Sequence, residues 1–280
     1  MKLTFTPISP LVFLPAVDDP SATALRFTQR FGRYDIIRLH AIGDESTTIT
    51  MRLYNAVTGA LVATQGTTRK SLGDNRWLYR KGYVPTIEGT FYMTLTSTGG
   101  QVWRSVDFEI TRLVENDPEW VLFEYGGTRN DTPIDPAFIL NGGKEVFKLR
   151  LPSGFKPQGW EPAVETETYR TQSQELRVLY SVPYEKWALT VGGAAGIPVE
   201  YLRILNAVLS CEIVYINGVR MVRSEGSTPE KQLAMTGAQM FTASVTLESQ
   251  PSLQGYPNEL YGDNGSYNND YNADYDVITT

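Results

Sequence analysis

Few side chains in this chain could form a catalytic or metal-binding centre. His40 is the only histidine and Cys211 the only cysteine among 280 residues. A Ser-His-Asp triad, a Cys-His pair or a multi-histidine metal site would each depend on that one imidazole. Because no second histidine could share a metal, we interpret His40 as a structural or surface residue. Cys211 follows a predicted helix, whose dipole disfavours a thiolate there, so we expect a small buried hydrophobe.

Acidic residues offer two further candidate sites. Glu161, Glu165 and Glu167 could supply a carboxylate pair for glycoside hydrolysis. Alternating Glu and Thr is also typical of a solvated sheet face, which we prefer as the interpretation. Residues 270–276 alternate Asp with other residues like the start of a calcium loop, but Tyr275 stands where such a loop has glycine, and no glutamate follows it. We expect neither catalysis nor calcium binding from these residues.

A glycine-rich stretch precedes the predicted helix. Residues 192–196 read Gly-Gly-Ala-Ala-Gly, and Pro198 follows closely. The stretch lacks the Lys-Ser/Thr of a phosphate-binding loop and the spacing of a dinucleotide fingerprint. It therefore predicts a tight strand-to-helix turn. Together these observations favour a protein that is not an enzyme and needs no cofactor.

Composition sets limits on partners and location. Hydrophobic residues make up 41% of the chain and charged residues 20%, enough apolar material for a buried core. The formal net charge of -6 gives no global basic field, so we expect no nucleic-acid partner. No apolar run approaches the roughly 18–20 residues of a membrane-spanning helix. Pro7, Pro10 and Pro15 interrupt the first apolar stretch, so we expect no conventional secretion signal.

Short strands dominate residues 24–112. Their alternation of polar and apolar residues and their turn signals predict six or seven strands and no helix, which is typical of an immunoglobulin-like β-sandwich. The predicted strands cover residues 35–41, 48–54, 60–64, 76–80, 90–96 and 102–110. Before them, residues 1–23 form a predicted extended, proline-rich arm.

Residues 113–252 are predicted to form a β-rich α+β domain with one packed helix. A long turn containing Pro152, Pro157 and Pro162 separates two of its strands. The whole chain is thus predicted to be mainly β. The predicted strands of this domain cover residues 119–125, 145–151, 164–170, 174–182, 187–191, 212–216, 219–223 and 241–248.

The helix and the hairpin after it have the clearest local signals. Pro198 suits the first helical position, and the helix is expected to end near residues 210–211. Asn217-Gly218 between two strand-like runs predicts a hairpin with a type I′ turn. The spacing of apolar residues predicts a buried helical stripe formed by Leu202, Ile204, Leu205, Val208 and Leu209.

The last segment, residues 253–280, is an acidic tail rich in Tyr, Asn and Asp. From Gln254 onward it carries five acidic residues and no Lys or Arg, so it holds nearly all of the net charge. It has too little aliphatic surface to fold alone. Tyrosines supply contact area at low entropic cost, so we expect this tail to contact a neighbouring protein. The candidate interaction residues are Tyr256, Tyr261, Tyr267, Tyr271 and Tyr275.

The stretch 192–226 carries a resemblance to a known group of proteins. Its Gly196-Ile197-Pro198 turn, the helix segment 205–211 and the hairpin 215–219 resemble virion structural proteins of phages infecting Bacteroidetes, in particular tail and baseplate components. Strand 120–125 and the Glu165-Thr166-Glu167 strand lie upstream in similar order, so the resemblance covers residues 119–250. It implies a non-enzymatic subunit of a homo-oligomeric ring or collar, made in the host cytoplasm and assembled with other virion proteins.

A binding module from a different class remains the alternative. Exposed Trp and Tyr on β-sandwich faces stack on sugars, and the chain has 5 Trp and 16 Tyr. Such a module would bind carbohydrates or a cell surface. The same aromatic residues are equally expected in cores and in protein interfaces.

Overall fold

The computed structural model describes residues 1–15, 27–127, 146–227, 229–235 and 240–249. Within these residues the chain is mainly β with one α-helix, as predicted from the sequence.

Two sheets form the first part of the chain. One has the strand order β1-β4-β8-β7, and the other has the order β2-β10-β9-β11-β3, with β5 and β6 joined to it through β9. Their inner faces share one hydrophobic core, so they pack as a sandwich. The strands are β1 Leu3–Phe5, β2 Phe13–Pro15, β3 Gln29–Phe31, β4 Ile37–Gly43, β5 Ile49–Asn55, β6 Leu61–Gly66, β7 Thr68–Gly73, β8 Arg76–Tyr83, β9 Gly89–Ser97, β10 Val102–Ser105 and β11 Phe108–Ile110.

In this region the alternation of polar and apolar residues in the sequence matches the alternation of less buried and buried side chains in the strands. In β9, Phe91, Met93 and Leu95 are buried while the residues between them are half-buried. Strand β5 shows the same alternation. These side chains face the shared core because successive residues of a strand point to opposite faces.

The described part of the predicted N-terminal arm belongs to the sandwich. Its backbone is extended, but β1 pairs with β4 and β2 pairs with β10. Ile8 between the two strands is fully buried, and its carbonyl accepts a hydrogen bond from the Tyr125 hydroxyl at 2.6 Å. The prolines that disfavour a helix here are compatible with short strands joined by a bend.

A third sheet and the helix form the second part. Its strand order is β15-β20-β14-β13-β12-β16-β17, and β18 and β19 also pair with β20. A 3₁₀ turn at Leu113–Glu115 precedes it. Its elements are β12 Trp120–Gly126, β13 Phe147–Arg170, β14 Leu176–Val191, β15 Ile197–Pro198, α1 Val199–Val208, β16 Ile213–Ile216, β17 Val219–Arg220, β18 Val222–Arg223, β19 Glu230–Met235 and β20 Met240–Ser249.

Helix α1 packs with the predicted stripe inward. All five predicted stripe residues are buried, and Tyr201 is buried beside them. Pro198 is the N-cap rather than the first helical residue, because its ψ of 153° is extended and it pairs with β20. The helix ends at Val208, slightly before the predicted end.

Both glycine turns predicted in this region are confirmed. Asn217 and Gly218 have φ values of 49° and 80°, and Ile216 pairs with Val219 across them, as a type I′ hairpin requires. The turn at residues 192–196 joins β14 to β15 and the helix. A Cβ on Gly196 would lie 2.9 Å from the Phe241 backbone nitrogen, so only glycine fits this approach.

Buried contacts join the two parts of the chain. Arg150 Nε lies 2.5 Å from Asp35 Oδ2, and Arg150 Nη2 lies 3.2 Å from Oδ1, so a bidentate ion pair spans 115 positions of sequence. The Gln29 side-chain amide donates to the Arg150 carbonyl at 2.5 Å. Ile8 and Phe27 of the first part also belong to the core around α1. The two parts therefore share a continuous packed interface.

Candidate assembly arm

Strands β13 and β14 are far longer than the sequence predicts. The predicted turn with three prolines is wrong, because β13 runs unbroken from Phe147 to Arg170. The predicted break between residues 182 and 187 is also absent, because β14 is continuous. Proline is tolerated in these strands because each has an open side over much of its length, where no neighbouring strand needs an N–H donor.

The outer parts of these strands form a two-stranded hairpin. Strand β12 pairs with β13 only as far as Pro152, and β20 pairs with β14 only from Glu185 onward. Between these limits and the tip, residues 163–184 pair only with each other among the described strands. Eight residue pairs at about 3.3 Å each give a length of about 25 Å. We call residues 163–184 the β-arm.

The β-arm exposes aliphatic side chains along its length. Val178 is 60% exposed and Leu179 is 57% exposed, and three more aliphatic side chains are more than two-fifths exposed. An isolated two-stranded hairpin is marginally stable in water. Several exposed apolar side chains on such an element are typical of an interaction site. The three other exposed aliphatic residues are Val164, Leu176 and Val182.

The candidate carboxylates lie on one face of the β-arm and at its base. Glu165 and Glu167 are two positions apart, so the pleat directs both to the same face. The Tyr180 hydroxyl donates to Glu165 Oε1 at 2.9 Å, and this hydrogen bond raises the pKa of Tyr180. Glu161 pairs with Lys186 in the ladder. All three carboxylates are exposed, so the arrangement presents acidic groups at the surface of the hairpin.

An aromatic cluster holds the base of the β-arm. The Trp187 ring lies 5.8 Å from Phe155 and 6.4 Å from Trp160 between centroids. Trp187 Nε1 also donates to Ser249 Oγ of β20 at 3.1 Å. A Cβ on Gly159 would collide with the Ala188 Cβ, so glycine allows the two strands to approach closely here. The hairpin therefore leaves the sheet from a packed base.

The other predicted residues lie elsewhere. His40 is 1% exposed, and its ring contacts Phe147 edge-on at 4.6 Å between the two parts of the chain. Cys211 is half-buried after α1, with its Sγ 3.6 Å from the Ala207 carbonyl oxygen. Among the described residues, no group of three or more His, Cys, Asp or Glu could hold a metal ion. The aspartates of the calcium-like motif lie outside the described residues, as do Tyr256, Tyr261, Tyr267, Tyr271 and Tyr275.

A stack of surface rings bears on sugar binding. Tyr54 and Tyr92 stack at 5.2 Å between centroids with an interplanar angle of 11°. The Arg104 guanidinium lies 3.9 Å from the Tyr92 centroid and bonds to Asp107 at 3.1 Å. Both faces of the Tyr92 ring are thereby occupied by protein groups. This aromatic pair offers no open two-ring platform on which a sugar could stack.

The β-arm itself was not predicted from the sequence. Its two sides correspond to the strands predicted at residues 164–170 and 174–182. The residue pattern of one strand does not show where the neighbouring strands of the sheet end. The available signal was the polar content of both runs, which mix Glu, Thr, Arg and Ser with aliphatic and aromatic residues so that neither face is fully apolar.

Comparisons with known proteins add no relative. No protein-family model matches the chain, and no curated protein is detectably similar to it. In the part of the chain that the structure describes, no helix combines the length and the apolar character needed to cross a membrane.

Proposed function

We propose that this chain is a non-enzymatic structural subunit of a phage virion, a ring, collar or baseplate subunit of the tail. Copies of the chain assemble with one another and with other virion proteins through protein–protein interfaces. The β-arm is the element by which one subunit holds the next. The resemblance of residues 119–250 to tail and baseplate proteins supports the virion part of this proposal.

The exposed aliphatic surface of the β-arm supports the part of the proposal that concerns assembly. Complete burial of a Val or Leu side chain contributes about 1.5–3 kcal/mol. Since the five aliphatic side chains are roughly half exposed, covering them would contribute about 1 kcal/mol each, or about 5 kcal/mol in total. A partner that covers the β-arm therefore gains enough to offset much of the free-energy cost of association.

A shortened arm tests this role. Ala163 and Tyr184 are directly paired, so replacing residues 164–183 by Asn-Gly closes the hairpin with a two-residue turn. We expect the full chain to form rings or higher oligomers in sedimentation velocity and electron microscopy. The shortened variant is expected to remain monomeric with an unchanged melting temperature, since the removed residues contact little of the core.

A matched control separates arm loss from loop damage. The β5–β6 turn can be shortened in the same way without touching the β-arm, by replacing residues 56–59 with Asn-Gly between the hydrogen-bonded Asn55 and Ala60. Detection of the chain's peptides in purified phage particles tests the virion assignment. A full chain that is monomeric at all concentrations and binds glycans on an array would overturn the proposal in favour of a carbohydrate-binding module.

A further inference from the structure

We infer that the partner surface for the β-arm is the open edge of β6 on a second copy of this chain, an inference that rests on the proposed assembly function. Strand β6 pairs only with β5 among the described strands. It carries no charged residue and no proline, whereas the two other described six-residue strands that pair with a single neighbour, β7 and β19, both carry charges. Charges and prolines protect edge strands, so an edge without them is suited to accept an added strand.

The open edge of β6 presents its backbone groups to solvent. The Thr67 N–H donates to the Ile49 carbonyl at 3.0 Å. Because hydrogen-bonded and non-hydrogen-bonded pairs alternate along an antiparallel ladder, the N–H and C=O groups of Thr64 and Gly66 point away from β5. Both residues are exposed, and a Cβ placed on Gly66 would meet no atom of the described residues within 4 Å. An added strand can therefore bond to both residues.

The β13 side of the β-arm is the edge that fits this strand. Residues 163–170 contain no proline, and their Val, Thr and Tyr residues favour strands. The β14 side is less regular, because it carries Pro183 and because Leu179 is an extra residue opposite β13. The eight residues of the β13 side are enough to cover the six residues of β6. Backbone pairing over this length would supply affinity, and the side chains would determine which strand is accepted.

The two faces of the β-arm match the two faces of the sheet that it would join. One face of the arm is uncharged along six paired positions, and the other carries Glu165 and Glu167. The uncharged face would continue the inner side of β6, where Ala63 packs against the sandwich core. The acidic face would then lie on the outer side of the sheet. The six uncharged residues are Val164, Thr166, Thr168, Val178, Ser181 and Pro183.

Arg52 supplies the complementary charge on that outer side. It faces outward because Met51 and Leu53 on either side of it are buried, and its ladder partners are Thr64 and Thr94. The half-buried Arg52 side chain has no hydrogen bond or ion pair to another described residue. A glutamate on a strand added to β6 would lie two strand spacings, about 10 Å between backbones, from Arg52, so the two long side chains can meet over Thr64.

The contact between these two surfaces is head-to-tail. The β-arm and the β6 edge lie on different parts of the chain, so each copy can donate its arm to one neighbour and accept the arm of another. Repetition of such a contact closes into a ring when the rotation between copies allows it.

A single proline tests the edge in the full chain. Thr64→Pro removes an N–H that points away from β5, so the ladder within the sheet keeps its hydrogen bonds and the melting temperature should change little. We expect this variant to weaken self-association at least tenfold in sedimentation velocity, because the incoming strand loses a donor and meets the proline ring. Thr64→Val keeps the N–H and is the matched control, which should associate as the natural chain does.

Reciprocal charge reversal tests the arm as the occupant. The arm variant is Glu165→Lys with Glu167→Lys, and the edge variant is Arg52→Glu. Each variant alone is expected to weaken self-association at least tenfold, because like charges then meet at the contact. A mixture of the two variants is expected to associate as the natural chain does, because every arm can then meet an edge of opposite charge.

Two controls accompany the charge reversal. Glu119→Lys with Glu225→Lys makes the same charge change as the arm variant at exposed positions off both surfaces and should leave association unchanged. The chain with the shortened β5–β6 turn keeps residues 61–67 and should also associate normally. Equal melting temperatures exclude misfolding.

The outcomes separate this inference from the proposed function. If the natural chain associates and Thr64→Pro associates equally well, the β6 edge is not the partner surface while the assembly function stands. If the proline weakens association but the mixture of charge variants does not recover, another strand occupies β6 and the inference is overturned. If deletion after Ser252 abolishes association and the other variants do not, the acidic tail makes the contact instead of the arm. If the natural chain does not associate at all, both proposals fail.

Discussion

The ion pair between Asp35 and Arg150 allows a sharp test of how the two parts of the chain are held together. The Asp35 side chain is 3% exposed and the Arg150 side chain 9%. Replacing Arg150→Met keeps much of the side-chain volume but leaves the Asp35 carboxylate buried without its cation. Among the described residues, the Gly32 N–H still donates to Asp35 Oδ2 at 2.7 Å. Breaking a buried ion pair in this way costs about 3–5 kcal/mol.

Chemical unfolding measures this loss. For a chain of this size the loss corresponds to a fall in melting temperature of roughly 6–20 °C. Because the pair joins the two parts, we also expect the natural chain to unfold in one urea transition and the variant to unfold in two steps. Double replacement, Asp35→Asn with Arg150→Met, should recover at least half of the loss, since the neutral amide still accepts from Gly32 without a buried charge.

An exposed pair provides the control. Arg112 Nε lies 2.9 Å from Glu88 Oε1, but both side chains are about half exposed. Arg112→Met makes the same chemical change and should cost less than about 1 kcal/mol. A loss for Arg150→Met as small as that of the control would refute the reasoning, because it would mean that the Asp35 carboxylate is solvated and that the two parts are not packed there.

Three further substitutions test the second part of the chain by thermal or urea unfolding. Gly218→Val should cost about 1–3 kcal/mol because its φ of 80° strains a β-branched residue although space around it is open, and unchanged stability would exclude the type I′ turn. Leu205→Ala should cost about 2–5 kcal/mol because the side chain is fully buried, and a loss under about 0.5 kcal/mol would show that it does not face the core. Burial raises the pKa of Tyr201. The buried Tyr201 hydroxyl has no hydrogen-bond partner among the described residues. Tyr201→Phe should therefore stabilise the protein by about 1 kcal/mol, whereas a comparable loss would reveal a partner for the hydroxyl.

Local patterns predicted those elements whose chemistry is local. The alternation in β5, β9 and β20 reflects one buried face, and the stripe of α1 reflects a 3.6-residue period. The Asn217-Gly218 turn was predictable because its two φ values restrict the residue types. In each case the residues whose types predict the element are the same residues that form it.

Elements defined by distant partners could not be predicted in this way. Pro162 indicates a turn unless it is known that one side of its strand is open, which depends on where β12 stops. The predicted helical stripe does not include Tyr201, although its ring packs against Phe27 at 4.7 Å between centroids. Tyrosine occurs both in cores and at surfaces, so its residue type alone does not place it. The Asp35–Arg150 pair has no local signal, because its members lie 115 positions apart.

The continuity of β13 and β14 from the core to the tip of the β-arm has a mechanical consequence. Ladder hydrogen bonds run across the strands, so a pull along the arm loads them in shear, and the bonds of each ladder resist together. The inner part of β13 is held by six residue pairs with β12, and the inner part of β14 by seven pairs with β20. Tension applied at the tip is therefore carried straight into the central sheet, whereas a sideways force would peel the same hairpin open one pair at a time.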